Sequence, residues 1–204
     1  MENERKTVEV WDLPVRCFHW SLVLLIGFSW LSGEMDWMTW HMWSGYAVAA
    51  FWNFIYGPSA VIGDLKTLPS RKAAHFAGHN PVGGLSVIAL ILCVAVQVGT
   101  GLFSNDDILT EGPLYKHVTK EMSDWLTTIH KYNFNVLLTL IAVHVSAVLY
   151  YLFYKAENLV RPMFTGRKQL PPALADETRR TAPLALAVVI LAIAAGVVYA
   201  VVKS

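Results

Sequence analysis

Apolar residues run along this chain in long unbroken stretches rather than in the three-or-four-residue stripe of a soluble amphipathic helix. Leu85 to Val96 and Leu184 to Val202 carry no charge on any face. Crossing about 30 Å of hydrocarbon at 1.5 Å per residue takes about 20 such residues. Five stretches approach or exceed that length, at residues 16–33, 40–58, 83–104, 125–154 and 183–202, and the segments between them hold nearly all the charge. The second is the least continuous, because Asn53 and the Tyr56-Gly57-Pro58 ending interrupt it. Asp12 and Pro14 supply an N-cap and a first-turn proline for the first stretch. No small-residue cleavage site follows it, so it reads as a retained span rather than a secretory signal. The pattern predicts an all-α, multi-pass integral membrane protein.

Composition narrows the chemistry. Of 204 residues 55% are hydrophobic, and the 16 basic and 15 acidic side chains nearly cancel without forming a basic stripe, which argues against nucleic acid as a partner. Cys17 and Cys93 stand alone in separate stretches, so neither a disulfide framework, a thiolate zinc site nor covalent c-type haem attachment is encoded. Phosphate-binding loops, nucleophile constellations and paired catalytic carboxylates are missing from the sequence as well. Basic residues flank alternate connections: Arg5, Lys6 and Arg16, then Lys66, Arg71 and Lys72, then Lys155, Arg161, Arg167, Lys168, Arg179 and Arg180. By the positive-inside rule these segments are cytoplasmic, which puts the N-terminus inside and, with five spans, the C-terminus outside. The other connections are acidic, with Glu34, Asp36, Asp106, Asp107, Glu111, Glu121 and Asp124. That outer loop either docks a basic periplasmic protein or is simply solvated. Trp11, Trp20, Trp37, Trp40, Trp43 and Trp125 fall near the predicted interfaces as an aromatic belt.

Polar rings at membrane depth are costly and mark function by default. His19 lies near the inner end of span 1, His41 at the outer end of span 2, and His130 and His144 both on span 4. The last two are 14 residues apart, about 21 Å of helix, and fourteen steps of 100° bring the second to within about 40° of the first. Alternating helix direction then places His130 near His41 and His144 near His19, giving two histidine pairs stacked across the bilayer. Paired imidazoles in an apolar bundle suit haem, whose large apolar ring exposes iron to axial nitrogens from both sides. Zinc suits them less, since nothing nearby completes a tetrahedron. The competing uses of such histidines are helix packing and proton or ion transfer.

The stretches Val10-Trp-Asp-Leu-Pro-Val-Arg-Cys-Phe-His-Trp20, His41-Met-Trp-Ser-Gly-Tyr46, Gly78-His-Asn-Pro-Val-Gly-Gly84 and Ile129-His130 through His144-Val145 together resemble the prokaryotic cytochrome b561 family, over roughly residues 8–168. That family includes the cytochrome b subunits of nickel-iron hydrogenases and is similar to those of formate dehydrogenases. The resemblance implies a four-helix haem-binding bundle with two bis-histidine b haems, His19 paired with His144 and His41 with His130. It implies electron transfer across the bacterial inner membrane between a quinone pool and a periplasmic redox partner, either a c-type cytochrome or a hydrogenase or dehydrogenase subunit. The alternatives are a membrane-anchor subunit of such a complex and a stand-alone superoxide:quinone oxidoreductase.

Several further residues are candidates around the haems. Arg16, one helical turn from His19, can pair with a propionate or anchor the span. His79 can bond a propionate or a quinone carbonyl, or belong to a turn set by Asn80-Pro81. His75 and His117 read as solvated loop residues, and Gln97, Asn133 and Asn135 as interhelical hydrogen-bonding groups. The organisation expected is a bundle over 1–160, a cytoplasmic linker over 161–182 and an extra membrane helix over 183–204 that carries no histidine. Ala192, Ala195, Gly196 and Ala200 of that helix permit close packing against a partner subunit or a second copy.

Overall fold

Asp12 opens the first long helix, α1 (Leu13–Glu34): its carboxylate accepts the Val15 N–H at 2.9 Å, and Pro14 sits in the first turn, where its missing N–H costs nothing. The computed structural model describes residues 6–51, 81–170 and 184–203. A tight turn in which Asp36 takes φ +55°, a left-handed conformation that Asp tolerates, reverses the chain into α2 (Met38–Phe51). The helix α3 (Pro81–Gly101) follows, then a loop with a single turn of tighter helix at Tyr115–His117. Thr119 caps α4 (Lys120–Phe153) by accepting the Met122 N–H, and Glu121 in the first turn complements the helix dipole. The short α5 (Val160–Thr165) and, after residue 183, α6 (Leu184–Lys203) complete the helices.

Among the described residues four helices are long and apolar enough to cross a membrane: α1, α3 from Gly84 onward, α4 and α6. The described part of the second predicted span is the 14-residue α2, and the rest of that span, 52–58, lies outside the described residues. The protein is a mostly helical, multi-pass membrane protein, as the apolar pattern predicts. Its helices form two antiparallel hairpins, α1 on α2 and α3 on α4, joined through α2 and α3. Val48, Cys93, Val94 and Leu137 meet at the centre with Leu22, Leu25 and Ile26 packed around them, so all four helices share one core. The helix α6 lies outside, against α2 and touching α1, with Ala187 and Ala194 turned inward. Leu24, Leu92, Val143 and Ile193 are exposed, an apolar outer surface that only lipid or another membrane helix covers at no cost.

One element is absent from the apolar pattern. Lys6–Glu9 (β1) pairs antiparallel with Arg167–Leu170 (β2), Lys6 opposite Leu170 and Glu9 opposite Arg167, and Val8 and Leu170 are buried under the ribbon with Val10 beside them. The first part of the segment expected as a linker is therefore α5 and β2, hydrogen-bonded to the N-terminal strand; residues 171–183 lie outside those described. The ribbon defines one end of the bundle, and the α1–α2 turn with the 102–119 loop defines the other.

Candidate functional site

At the loop end, α2 and α4 bring His41 and His130 together with ring centroids 6.1 Å apart and ring planes 82° to each other. Each ring is held from behind. His41 Nδ1 donates to the Ser29 carbonyl at 2.8 Å and His130 Nδ1 to the Gln97 carbonyl at 2.9 Å. A carbonyl can only accept, so both Nδ1 atoms carry the proton and both Nε2 atoms present lone pairs. Hydroxyls reinforce the arrangement, Ser29 Oγ and Thr100 Oγ1 each lying 3.3 Å from the respective Nδ1. A histidine that donates its far nitrogen to a backbone carbonyl has the orientation of a metal ligand with its outer support in place. A centroid separation of 6.1 Å is the distance over which both imidazoles would reach one metal atom.

A polar chain runs from this pair toward mid-bundle. The Gln97 carboxamide nitrogen donates to His130 Nε2 at 3.0 Å, and its oxygen accepts from Asn133 Nδ2 at 2.7 Å. Asn133 also donates to the Cys93 carbonyl at 2.9 Å and accepts the Cys93 thiol at 3.3 Å. Gln97 and Asn133 are thus the interhelical bonds expected of them. Asn135 is not: it is exposed and bonds the Lys131 carbonyl of its own helix, because it lies two residues from Asn133 and faces away from α3.

At the ribbon end stand His19 of α1 and His144 of α4. His19 Nδ1 is buried and has no hydrogen-bond partner, the one such side-chain atom among the described residues. Leaving a polar atom in that state costs about 1–3 kcal/mol, so the nitrogen points to a group that would satisfy it. Arg16 stands one turn away with its guanidinium on two carbonyls, Phe164 at 2.5 Å and Asp12 at 3.3 Å. Trp20 donates to the Met163 carbonyl at 3.1 Å and stacks on Phe164 at 4.4 Å, so both residues fasten α1 to α5. His79 and His75 lie outside the described residues, and His117 is exposed.

Sequence reasoning missed Ser29, Gly33, Thr100 and Gly101 around the loop-end rings. A Cβ on Gly101 would stand 2.9 Å from His130 Cε1, and one on Gly33 3.2 Å from His41 Nδ1. The available signal is a small or hydroxyl residue in the last two turns of the helix preceding each histidine-bearing helix. The loop itself is ordered by Asp106, whose carboxylate accepts the N–H groups of Ile108, Leu109 and Thr110 at 2.8–2.9 Å. Those bonds, to Thr110 first, hold its pKa well below the usual carboxylate range. Lys120 bridges Asp107 and Asp124 at 2.6 and 2.9 Å, so part of the loop's acidity is paired internally.

A family model for prokaryotic cytochrome b561 matches residues 10–166. The chain belongs to the prokaryotic cytochrome b561 family. Its two matched ends touch: the Val10 N–H donates to the Gly166 carbonyl at 2.8 Å. As a cytochrome b561 the protein is a haem-binding b-type cytochrome that transfers electrons across a membrane. The match includes α1 through α5 and leaves α6 outside. Neither the curated proteins nor the solved structures give a match to the chain. The loop-end imidazole spacing, the two Nδ1 supports and the orphaned His19 nitrogen all fit a haem-binding cytochrome.

Proposed function

We propose that this cytochrome b561 holds two b haems, one between His41 and His130 and one between His19 and His144. It carries electrons between a quinone pool and a periplasmic redox partner across the bacterial inner membrane. The observation that carries this reading is the loop-end pair: imidazoles from two helices with centroids 6.1 Å apart, each donating its Nδ1 proton to a backbone carbonyl. Bound haem supplies a one-electron iron couple. His41 with His130 and His19 with His144 would hold the groups, and iron so held by two histidines would offer no place for oxygen or substrate and would serve electron transfer alone. A core of Val48, Cys93, Val94 and Leu137 lies at mid-bundle, and about 21 Å of α4 separates the levels of His130 and His144. Ligation through His130 Nε2 requires the Gln97 carboxamide to leave that atom while the Nδ1 bond to the Gln97 backbone stays.

Arg16, fixed on the Phe164 carbonyl beside His19, is proposed as the cation near a propionate of the ribbon-end haem. His79 is assigned the same role or that of a quinone ligand from sequence position alone. The N-terminal ribbon end is placed in the cytoplasm and the loop end in the periplasm, from the distribution of Lys and Arg. Residues 1–160 act as the dihaem bundle, 161–182 as a cytoplasmic segment and 183–204 as an added helix, with lipid or a second copy against it.

The test is vectorial electron transfer in liposomes. A quinol is added outside, ferricyanide is trapped inside, and reduction of the trapped dye is followed. The unsubstituted protein reduces it and both His130→Ala and His144→Ala fail to. Haem-loaded protein that leaves the dye oxidised would overturn the proposal.

A further inference from the structure

The two loop-end histidines are held by the same device twice, and the device includes a glycine. His41 bonds the carbonyl of Ser29 and lies against Gly33; His130 bonds the carbonyl of Gln97 and lies against Gly101. In both cases the glycine stands four residues after the carbonyl, on the helix preceding the one that bears the histidine. A helical carbonyl points along the axis toward residue i+4. An imidazole reaching that carbonyl from a neighbouring helix is therefore pressed against the i+4 position, where any Cβ would meet its ring. The contacts are graded, 2.9 Å to His130 Cε1 from Gly101 and 3.2 Å to His41 Nδ1 from Gly33. Gly27 and Gly99, on the same two helices, have nothing within 4 Å of a built Cβ.

We propose that Gly33 and Gly101 are positioning residues that set the planes of the His41 and His130 rings, and through them the electronic state of the iron these rings ligate. The proposal rests on the ligand reading above. The ring planes stand at 82°, and the low-spin signal of a ferric haem held by these two rings would depend on that angle. Adding a methyl group at either glycine turns or tilts one ring while its Nδ1 stays tethered. The ligand is retained and its orientation changes.

The experiment is electron paramagnetic resonance of oxidised, haem-loaded Gly101→Ala, Gly33→Ala, Gly99→Ala and Gly27→Ala, with haem content and redox titration on the same samples. The expected result is a shifted low-field feature and a shifted midpoint for one haem only. The shift is larger for Gly101→Ala than for Gly33→Ala and absent from Gly99→Ala and Gly27→Ala. If Gly101→Ala does not fold, Gly33→Ala, with its looser contact, decides. Spectra of Gly33→Ala and Gly101→Ala superimposable on the unsubstituted protein overturn the proposal and leave the ligand reading standing. An unsubstituted protein whose haem signals do not respond to His41→Ala or His130→Ala overturns both.

Discussion

Gln97 meets the same histidine twice, with opposite consequences. Its backbone carbonyl holds His130 Nδ1, while its carboxamide occupies Nε2, the nitrogen assigned to iron. A net hydrogen bond is worth about 1 kcal/mol, roughly fivefold in an equilibrium constant. Gln97→Leu is expected to tighten haem binding at the loop-end pair by about that factor, read by titrating haem into haem-depleted protein; weaker binding would show that the carboxamide supports the ligand. Asp106 gives the pH prediction. Its pKa is depressed in the folded loop, so its contribution is fully present above the ordinary carboxylate value and is lost as pH falls through the lower folded one. The amides of Ile108, Leu109 and Thr110 stay protected from hydrogen exchange at about pH 4. In Asp106→Asn they exchange faster at that pH, and equal rates in the two proteins would contradict the assignment. The neighbourhood of His41 and His130 is readable from the sequence, because spacing and span direction fix a side chain's depth and face. Their supports are not, since the acceptors at Ser29 and Gln97 are backbone carbonyls, which every residue carries.

At the scale of elements, the ribbon joins the chain's first strand to the segment after its fourth long helix. Gly166 is its pivot, with φ +76° and its carbonyl accepting the N–H groups of Val10 and Trp11 at 2.8 and 3.2 Å. A Cβ there would stand 2.7 Å from the Trp11 carbonyl oxygen, in a left-handed conformation that costs a non-glycine residue about 1–2 kcal/mol. Gly166→Ala is expected to lower the temperature at which the detergent-solubilised protein loses its haem spectrum, with haem content at low temperature preserved. An unchanged transition would remove the ribbon from the account. The long helices were legible to within a few residues because membrane length and absence of charge are properties of contiguous sequence. The strands were not: four residues each, far apart in the chain, they have no hairpin turn between them and too short an alternation to register.

For the molecule as a whole, the family match ends at residue 166 and α6 lies outside the four-helix core. A chain ending after residue 182 is accordingly expected to keep its full haem content, measured by pyridine haemochrome; loss of haem would make α6 part of the cofactor-binding unit. The central claim is two haems at two depths, each with its own pair of helices. It is tested most directly by the reduced-minus-oxidised spectrum of purified protein with haem quantified per chain, repeated for His130→Ala and His144→Ala. Two b haems are expected in the unsubstituted protein, with each substitution disturbing a different one. A single haem indifferent to both substitutions, or the same haem lost in both variants, would contradict it.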